Sequence, residues 1–238
     1  DMSKGTSRPF NIKGYGPLAQ PIEETKFNGN EIPSTPFNPD TVSTQKLKYK
    51  TAILGQAKRT KAGIPRVKDG ASDNILQFGL DQGLSGTEAL LFKQDNDGIM
   101  WIATDAGLCR YDGEFCDTYT LQQGLSHPSI RNFLFDKQEQ IWVAYLFDSR
   151  GISIINKKKG IIKHITRAEG LSNNTVNGFV KDSNGKVWVA TNSGLDIIDP
   201  DSGTISHITK AHGMAGNAVN RIFQDSKGQI WLNFWDAK

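Results

Sequence analysis

The sequence predicts an all-β fold: an incomplete β-propeller of four-stranded antiparallel blades, about three full blades plus partial ones, preceded by an irregular leader. Three observations carry this. Tryptophans stand at 101, 142, 188 and 231, separated by 41, 46 and 43 residues. A second landmark keeps step with them. Gly83-Leu84-Ser85, Gly124-Leu125-Ser126, Gly170-Leu171-Ser172 and Gly213-Met214-Ala215 each begin 18 residues before a tryptophan. Between the landmarks, apolar residues come in short runs cut by turn residues, so no helix of useful length fits.

The third repeat shows the strands in order. "TVNGFVKD" is short and partly alternating, "DSNG" is a turn, and "KVWVAT" is a continuous apolar run of β-branched and aromatic residues. "NSG" turns again, "LDIID" is a third strand, "PDSG" a third turn, and "TISHIT" a fourth strand. The continuous run is expected where a strand is covered on both faces, as inner strands between blades are. Asp182 and Gly185 shape the hairpin between the first two strands. Trp101, Trp142, Trp188 and Trp231 are read as plugs between blades. Gly107, Gly151 and Gly194 support the next turn, Gly194 with positive φ.

These units place blades at about 86–123, 127–169 and 173–212, with the start of another at 216–238. "NILQFGLDQGLS", at 74–85, reads as a lone closing strand ahead of them. Propellers close with about four to eight blades, so the remaining blades are expected elsewhere in a longer chain. Residues 71–238 are the partial propeller, and residues 1–70 are read as a leader or linker. The leader holds 12 Lys/Arg against 6 Asp/Glu and seven of the nine prolines, while every tryptophan lies after residue 100. The body carries the remaining 16 basic and 19 acidic residues. A basic segment can bind nucleic acid or anionic lipid. Aromatic residues are sparse here and the body is acidic, so a solvated linker is the reading adopted and no nucleic-acid partner is expected. "GIPRVKDG", at 63–70, is read as an extended arm against a neighbouring blade.

The repeat resembles the two-component regulator propeller family, whose pattern is roughly a Gly-Leu-Ser loop, Asp-x-x-Gly-x-Ile-Trp-x-x-Thr, then Gly-Leu and a further strand. Residues 170–199 and 83–111 carry it closely. Residues 213–232 carry its first part, and the second repeat departs, with Glu139 at the turn glycine and Tyr145 at the threonine. The resemblance implies a non-catalytic extracytoplasmic sensor or ligand-recognition module of a bacterial signal-transduction protein. It would be anchored in the membrane through a segment outside this chain and joined to output domains of that longer chain, with a homodimer among its expected assemblies. The alternatives are a protein–protein interaction scaffold and a propeller lyase or hydrolase with its site in further blades.

The residues themselves point to no catalytic site and to no cofactor. His164 and His207 occupy equivalent positions in "KHIT" and "SHIT" and read as surface residues of fourth strands. "DNDG" at 95–98 lacks the remaining ligands of a calcium loop, and its counterparts are plain turns, so no metal site is expected. A two-residue turn at Asp112 and Gly113 sets Cys109 directly opposite Cys116, poor geometry for a disulfide, so both read as reduced packing residues.

Blade topology places the Gly-Leu-Ser loops and the loops between second and third strands on one face. There the second repeat has a three-residue insertion, marked by Phe147, Asp148 and Ser149. Tyr145, Phe147, Asp148, Arg150, His127, Asn173, Asn174 and Asn192 are the candidate ligand residues. They offer stacking and bidentate hydrogen bonds to a carbohydrate or another small-molecule ligand.

Overall fold

The computed structural model describes residues 42–67, 76–147 and 149–236. None of the helices they form is long and apolar enough to cross a membrane. The architecture is all-β. Five strands precede the blades: β1 (Thr44–Lys46), β2 (Lys50–Ile53), β3 (Lys58–Lys61), β4 (Arg66–Val67) and β5 (Leu76–Gln77). The first blade is β6 (Ala89–Gln94), β7 (Met100–Thr104), β8 (Gly107–Tyr111) and β9 (Phe115–Tyr119). The second is β10 (Ile130–Phe135), β11 (Ile141–Tyr145), β12 (Ile152–Asn156) and β13 (Ile161–Ile165). The third is β14 (Val176–Lys181), β15 (Val187–Thr191), β16 (Gly194–Asp199) and β17 (Thr204–Ile208), and β18 (Val219–Gln224) with β19 (Ile230–Phe234) begins a fourth. All the blade strands pair antiparallel in sequence order. Every first strand carries a register shift near its start, between Ile130 and Asn132 in the second blade and at the equivalent sites in the others.

The core lies between blades. Trp101, Phe133, Ile141 and Val143 join the first blade to the second, and Trp142, Phe179, Val187 and Val189 join the second to the third. Trp101 stacks on Tyr119 of its own blade at 6.1 Å and meets Phe135 of the next edge-on at 6.0 Å. Trp101 and Trp142 are fully buried; truncating such a ring to alanine typically costs about 3–5 kcal/mol. Trp188 is half-buried, and Trp231 is 48% exposed. The plug therefore weakens along the arc, because each ring is buried by the blade that follows its own.

Each indole is also held from within its repeat. The Nε1–H of Trp101, Trp142, Trp188 and Trp231 donates to the aspartate six residues earlier, at 2.8, 2.9, 2.8 and 2.9 Å. The same carboxylates accept backbone N–H groups across the hairpin turn, as Asp95 does from Asp97 and Ile99. Gly107, Gly151 and Gly194 open the third strands with φ of 146, 70 and 140°. A side chain at Gly194 would also sit 2.6 Å from the Ile208 carbonyl oxygen. That is why this position repeats as glycine.

Two expectations are corrected. Residues 44–61 are not a solvated linker: β3, β2 and β1 add a fifth, outermost antiparallel strand to the first, second and third blades respectively. Polar side chains hid them, because an edge strand can be held by its backbone alone. Within "GIPRVKDG", β4 pairs with β5, while residues 68–70 lie outside the described residues. The second correction concerns the cysteines. Cys109 faces Thr118 and Cys116 faces Tyr111, since the turn closes through Asp112 N–H to the Phe115 carbonyl and has Gly113 and Glu114 at its tip, one residue later than expected. Both cysteines are buried and unbridged.

Candidate functional site

The Gly-Leu-Ser loops and the second-to-third-strand loops do share a face. The Ser85 hydroxyl lies 2.9 Å from that of Thr104, the Ser172 hydroxyl lies 2.8 Å from that of Thr191, and the Asn173 amide donates to Ser193 at 2.8 Å. On this face the structure sorts the candidate residues into three groups.

Tyr145 is turned inward and buried. Its hydroxyl accepts the Ser126 N–H at 3.0 Å and donates to Ser153 at 2.6 Å. Burial pushes its phenol up to about 12. Tyr145 thus fills the space the family pattern gives to threonine and cannot meet a ligand directly.

Asn173, Asn174 and Asn192 build the loop of the third blade. The Asn173 side chain accepts the Thr175 N–H at 2.8 Å, Asn174 accepts the Arg167 N–H at 2.7 Å, and Asn192 accepts from Asn177 at 2.8 Å. Asn217 repeats the Asn174 bond by accepting the Lys210 N–H, which marks it as part of the scaffold.

His127 and Phe147 form an aromatic lip, and exposed Arg150 follows in the same loop as Phe147. The His127 ring stands edge-on to Tyr145 below it and to Phe147 above it, both at 6.4 Å, and Phe147 is 60% exposed. The insertion carrying Phe147 is pinned to the next blade: Gly151 N–H donates to the Asn174 carbonyl at 2.9 Å, and the Ser149 and Thr175 hydroxyls meet at 2.7 Å. An exposed ring on a fixed loop can stack on a flat or apolar ligand at little entropic cost. Asp148 lies outside the described residues.

Beneath the same loops sit the two histidines expected at the surface. Both are half-buried and bond inward to the third strand. His164 Nδ1 lies 2.9 Å from Ser153 and 3.0 Å from Ser126. His207 Nδ1 lies 2.7 Å from fully buried Asp196, whose other oxygen accepts the Ser172 N–H at 2.9 Å. Burial, then the charge of Lys50, lowers the His164 imidazole; the hydrogen bond to Asp196 raises that of His207. The register Cys109–Thr118, Ser153–His164 and Asp196–His207 is the same in all three blades, so one geometric position carries three chemistries.

The opposite face holds a cleft of about 310 Å³ between the turns of the first and second blades. Trp101, Phe135 and Ile141 line it with Asp95, Asp97 and Glu139. Lys157 lies 4.7 Å from the Trp101 ring centroid, and Lys158 pairs with Glu139 at 2.7 Å. Glu139 has φ of 59°, where the equivalent residues are Gly98, Gly185 and Gly228. The departure of Glu139 from the repeat pattern was visible in the sequence; the cleft beneath it was not. Among the described residues, no group of three or more His, Cys, Asp or Glu could hold a metal. Asp95, the first residue of "DNDG", has both oxygens engaged by Asp97 N–H, Ile99 N–H and the Trp101 indole.

Residues 170–193 match the family model of the two component regulator propeller. They span the Gly-Leu-Ser loop, Asp182, Gly185 and Trp188 of the third blade. These 24 residues carry the two component regulator propeller repeat. Structures with the same fold include the extracellular domain of BT3049 from B. thetaiotaomicron, assigned to a hybrid two component system. It shares 17% identity and a TM-score of 0.58, over 77% of this chain and 26% of that one. The extracellular domain of BT4673 from the same organism, assigned to a one component system, gives 21% identity and 0.57, over 82% and 29%. Virginiamycin B lyase from Staphylococcus aureus gives 15% and 0.50, over 79% and 67%. At these identities the likeness shows a shared propeller fold. The chain spans little more than a quarter of the two extracellular domains. No curated protein matches the chain.

Proposed function

We propose that this chain is part of the extracytoplasmic sensor region of a bacterial signalling protein, and that it recognises a ligand without transforming it. The observation that carries the reading is the two component regulator propeller repeat in the third blade. The extracellular domains of B. thetaiotaomicron with this fold support it by analogy. The first strands of the blades, β6, β10, β14 and β18, read "ALLFKQ", "IRNFLF", "VNGFVK" and "VNRIFQ", without a carboxylate or a histidine to act as acid or base. Ligand contact is assigned to the lip of Phe147 and His127 and to Arg150.

A panel of neutral and acidic oligosaccharides, screened by thermal shift, tests the location. A binder should lose its shift in Phe147→Ala and in Arg150→Ala. Unchanged affinity in both would remove the lip from the site. If no oligosaccharide binds and a purified protein partner does, with binding lost in Phe147→Ala, the scaffold reading takes its place.

A further inference from the structure

The three outer strands obey a rule that no blade repeat explains. After β1, Leu47 N–H donates to the Gly203 carbonyl of the third blade, and Lys48 N–H donates to Glu169 in the turn that ends the second repeat. After β2, Leu54 donates to Gly160 of the second blade and Gly55 to Gln123 at the end of the first repeat. After β3, Ala62 donates to Glu114 of the first blade and Gly63 to Gln82 in the turn before it. The pattern is a strand, one aliphatic residue bonded to the hairpin carbonyl of one blade, then one residue bonded to the loop of the preceding repeat. It recurs every seven or eight residues while the blades recur every 41 to 46, so the segment runs backwards around the rim.

Recognition here is by backbone. All residues of β1, β2 and β3 are exposed, and only Leu47 and Val42 of the segment are buried. Two crossings require glycine. A Cβ at Gly55 would lie 2.8 Å from Gln123 Cα, and one at Gly63 would lie 2.5 Å from the Asp81 carbonyl oxygen. Residues 44–61 carry six Lys/Arg and no acid. Arg59 uses this charge, meeting Asp112 at 3.2 Å and Asp117 at 3.7 Å and lying 4.4 Å over the Phe115 ring. At the other end, Gln45 bonds to His207, whose ring reaches the Gly-Leu-Ser loop through Asp196 and Ser172.

We propose that residues 42–63 are a separable ligand of the blades. The outer edges of the three blades form a peptide-recognition surface for an extended basic segment of this period, which adds a strand to each blade and ties it to the one before. Val42 and Leu47 are buried, and Tyr49, Leu54, Ala57 and Ala62 pack partly buried on the blade cores, but all three strands between these anchors are exposed. The segment therefore seats on the blades from outside and leaves as one unit without unfolding them, and a second copy of the same sequence can take its place.

The test uses the whole chain. In Gly55→Val/Gly63→Val the tether stays but both crossings clash, which opens the edges. A labelled synthetic peptide of residues 42–65 should bind this variant at least ten-fold more tightly than it binds the unaltered chain, as read by fluorescence anisotropy. The same peptide carrying both valines should not bind. Failure of the native peptide to bind, or equal binding by both peptides, overturns the proposal. Amide hydrogen exchange of the unaltered chain provides an arm that does not depend on the variant folding. Leu47, Lys48, Leu54, Gly55, Ala62 and Gly63 should exchange together, slower than a free peptide and at least ten-fold faster than β7, β11 and β15. Exchange at either limiting rate refutes a docked but separable strap.

Discussion

Asp136 accepts the indole N–H of Trp142 at 2.9 Å and at the same time the backbone N–H groups of Gln138 and Gln140, both at 2.9 Å. The Gln140 side-chain amide donates to it as well, at 3.0 Å. One carboxylate therefore closes the hairpin turn, orients the wedge between blades and is itself buried. Asp225 has the same role toward Trp231, but in the open. Replacing Asp136 with alanine leaves buried donors unmatched, which costs about 1–3 kcal/mol per group. Urea unfolding should show Asp136→Ala to be clearly destabilising and Asp225→Ala much less so. Equal losses would mean that the indole bond, and not its burial, sets the cost.

Tyr145 gives a spectroscopic prediction. Its phenol is pushed up to about 12 by burial, and its two hydroxyl bonds are internal. An ultraviolet titration should therefore retain one tyrosine that ionises only near that value, and Tyr145→Phe should remove it. The substitution strands the Ser126 N–H and should cost about 1–3 kcal/mol. Loss of ligand binding without loss of stability would contradict the buried placement.

His164 and His207 should drive opposite pH dependence from equivalent positions. The Asp196 hydrogen bond and charge hold His207 above its ordinary 6.5, against the effect of burial. The folded chain keeps that proton longer, so the stabilisation is complete below about 6.5 and fades as pH rises through the folded value. Burial, then Lys50, holds His164 below 6.5. There the unfolded chain binds the proton first, and stability falls as pH drops from about 6.5 through the folded value. Denaturation from pH 5 to 8 should show His207→Gln losing stability most at the acid end. His164→Gln should become less acid-sensitive than the unaltered chain. Parallel profiles would refute the assignment.

Glu139 holds a left-handed backbone that glycine adopts without strain, and its carboxylate pairs with Lys158. Glu139→Gly exchanges an exposed ion pair for relief of that strain, so its melting temperature should be no lower than that of the unaltered chain. Glu139→Ala loses the pair and keeps the strain, and should melt lower than both. If glycine melts lowest of the three, the side chain is doing more than the ion pair.

The blade strands were legible because their cause is local. Indoles at a period near 43, Asp-x-x-Gly turns and a recurring Gly-Leu-Ser each solve one packing problem in one repeat, so they recur as text. The indole-to-aspartate bond is written there too, as an aspartate six residues before each of the four periodic tryptophans. The candidate site was less legible. Tyr145 and Phe147 are two residues apart and both aromatic, yet one is sealed under the loop and the other stands on it. β11 ends at Tyr145 with every residue buried, and nothing in the letters says where the insertion then points.

The sequence by itself determined the blade type, the repeat period and the Asp-led turns between first and second strands, since these follow from residues within about forty positions of one another. Only the tertiary structure decided that "TQKLKYKTAILGQAKRTK" is the outer strand of three blades, that the two histidines face inward, and that a cleft lies under Glu139. In each case the partner is distant in sequence or is another backbone. A hydrogen bond to a carbonyl more than a hundred residues away, such as Lys48 to Glu169, leaves no mark on side-chain pattern.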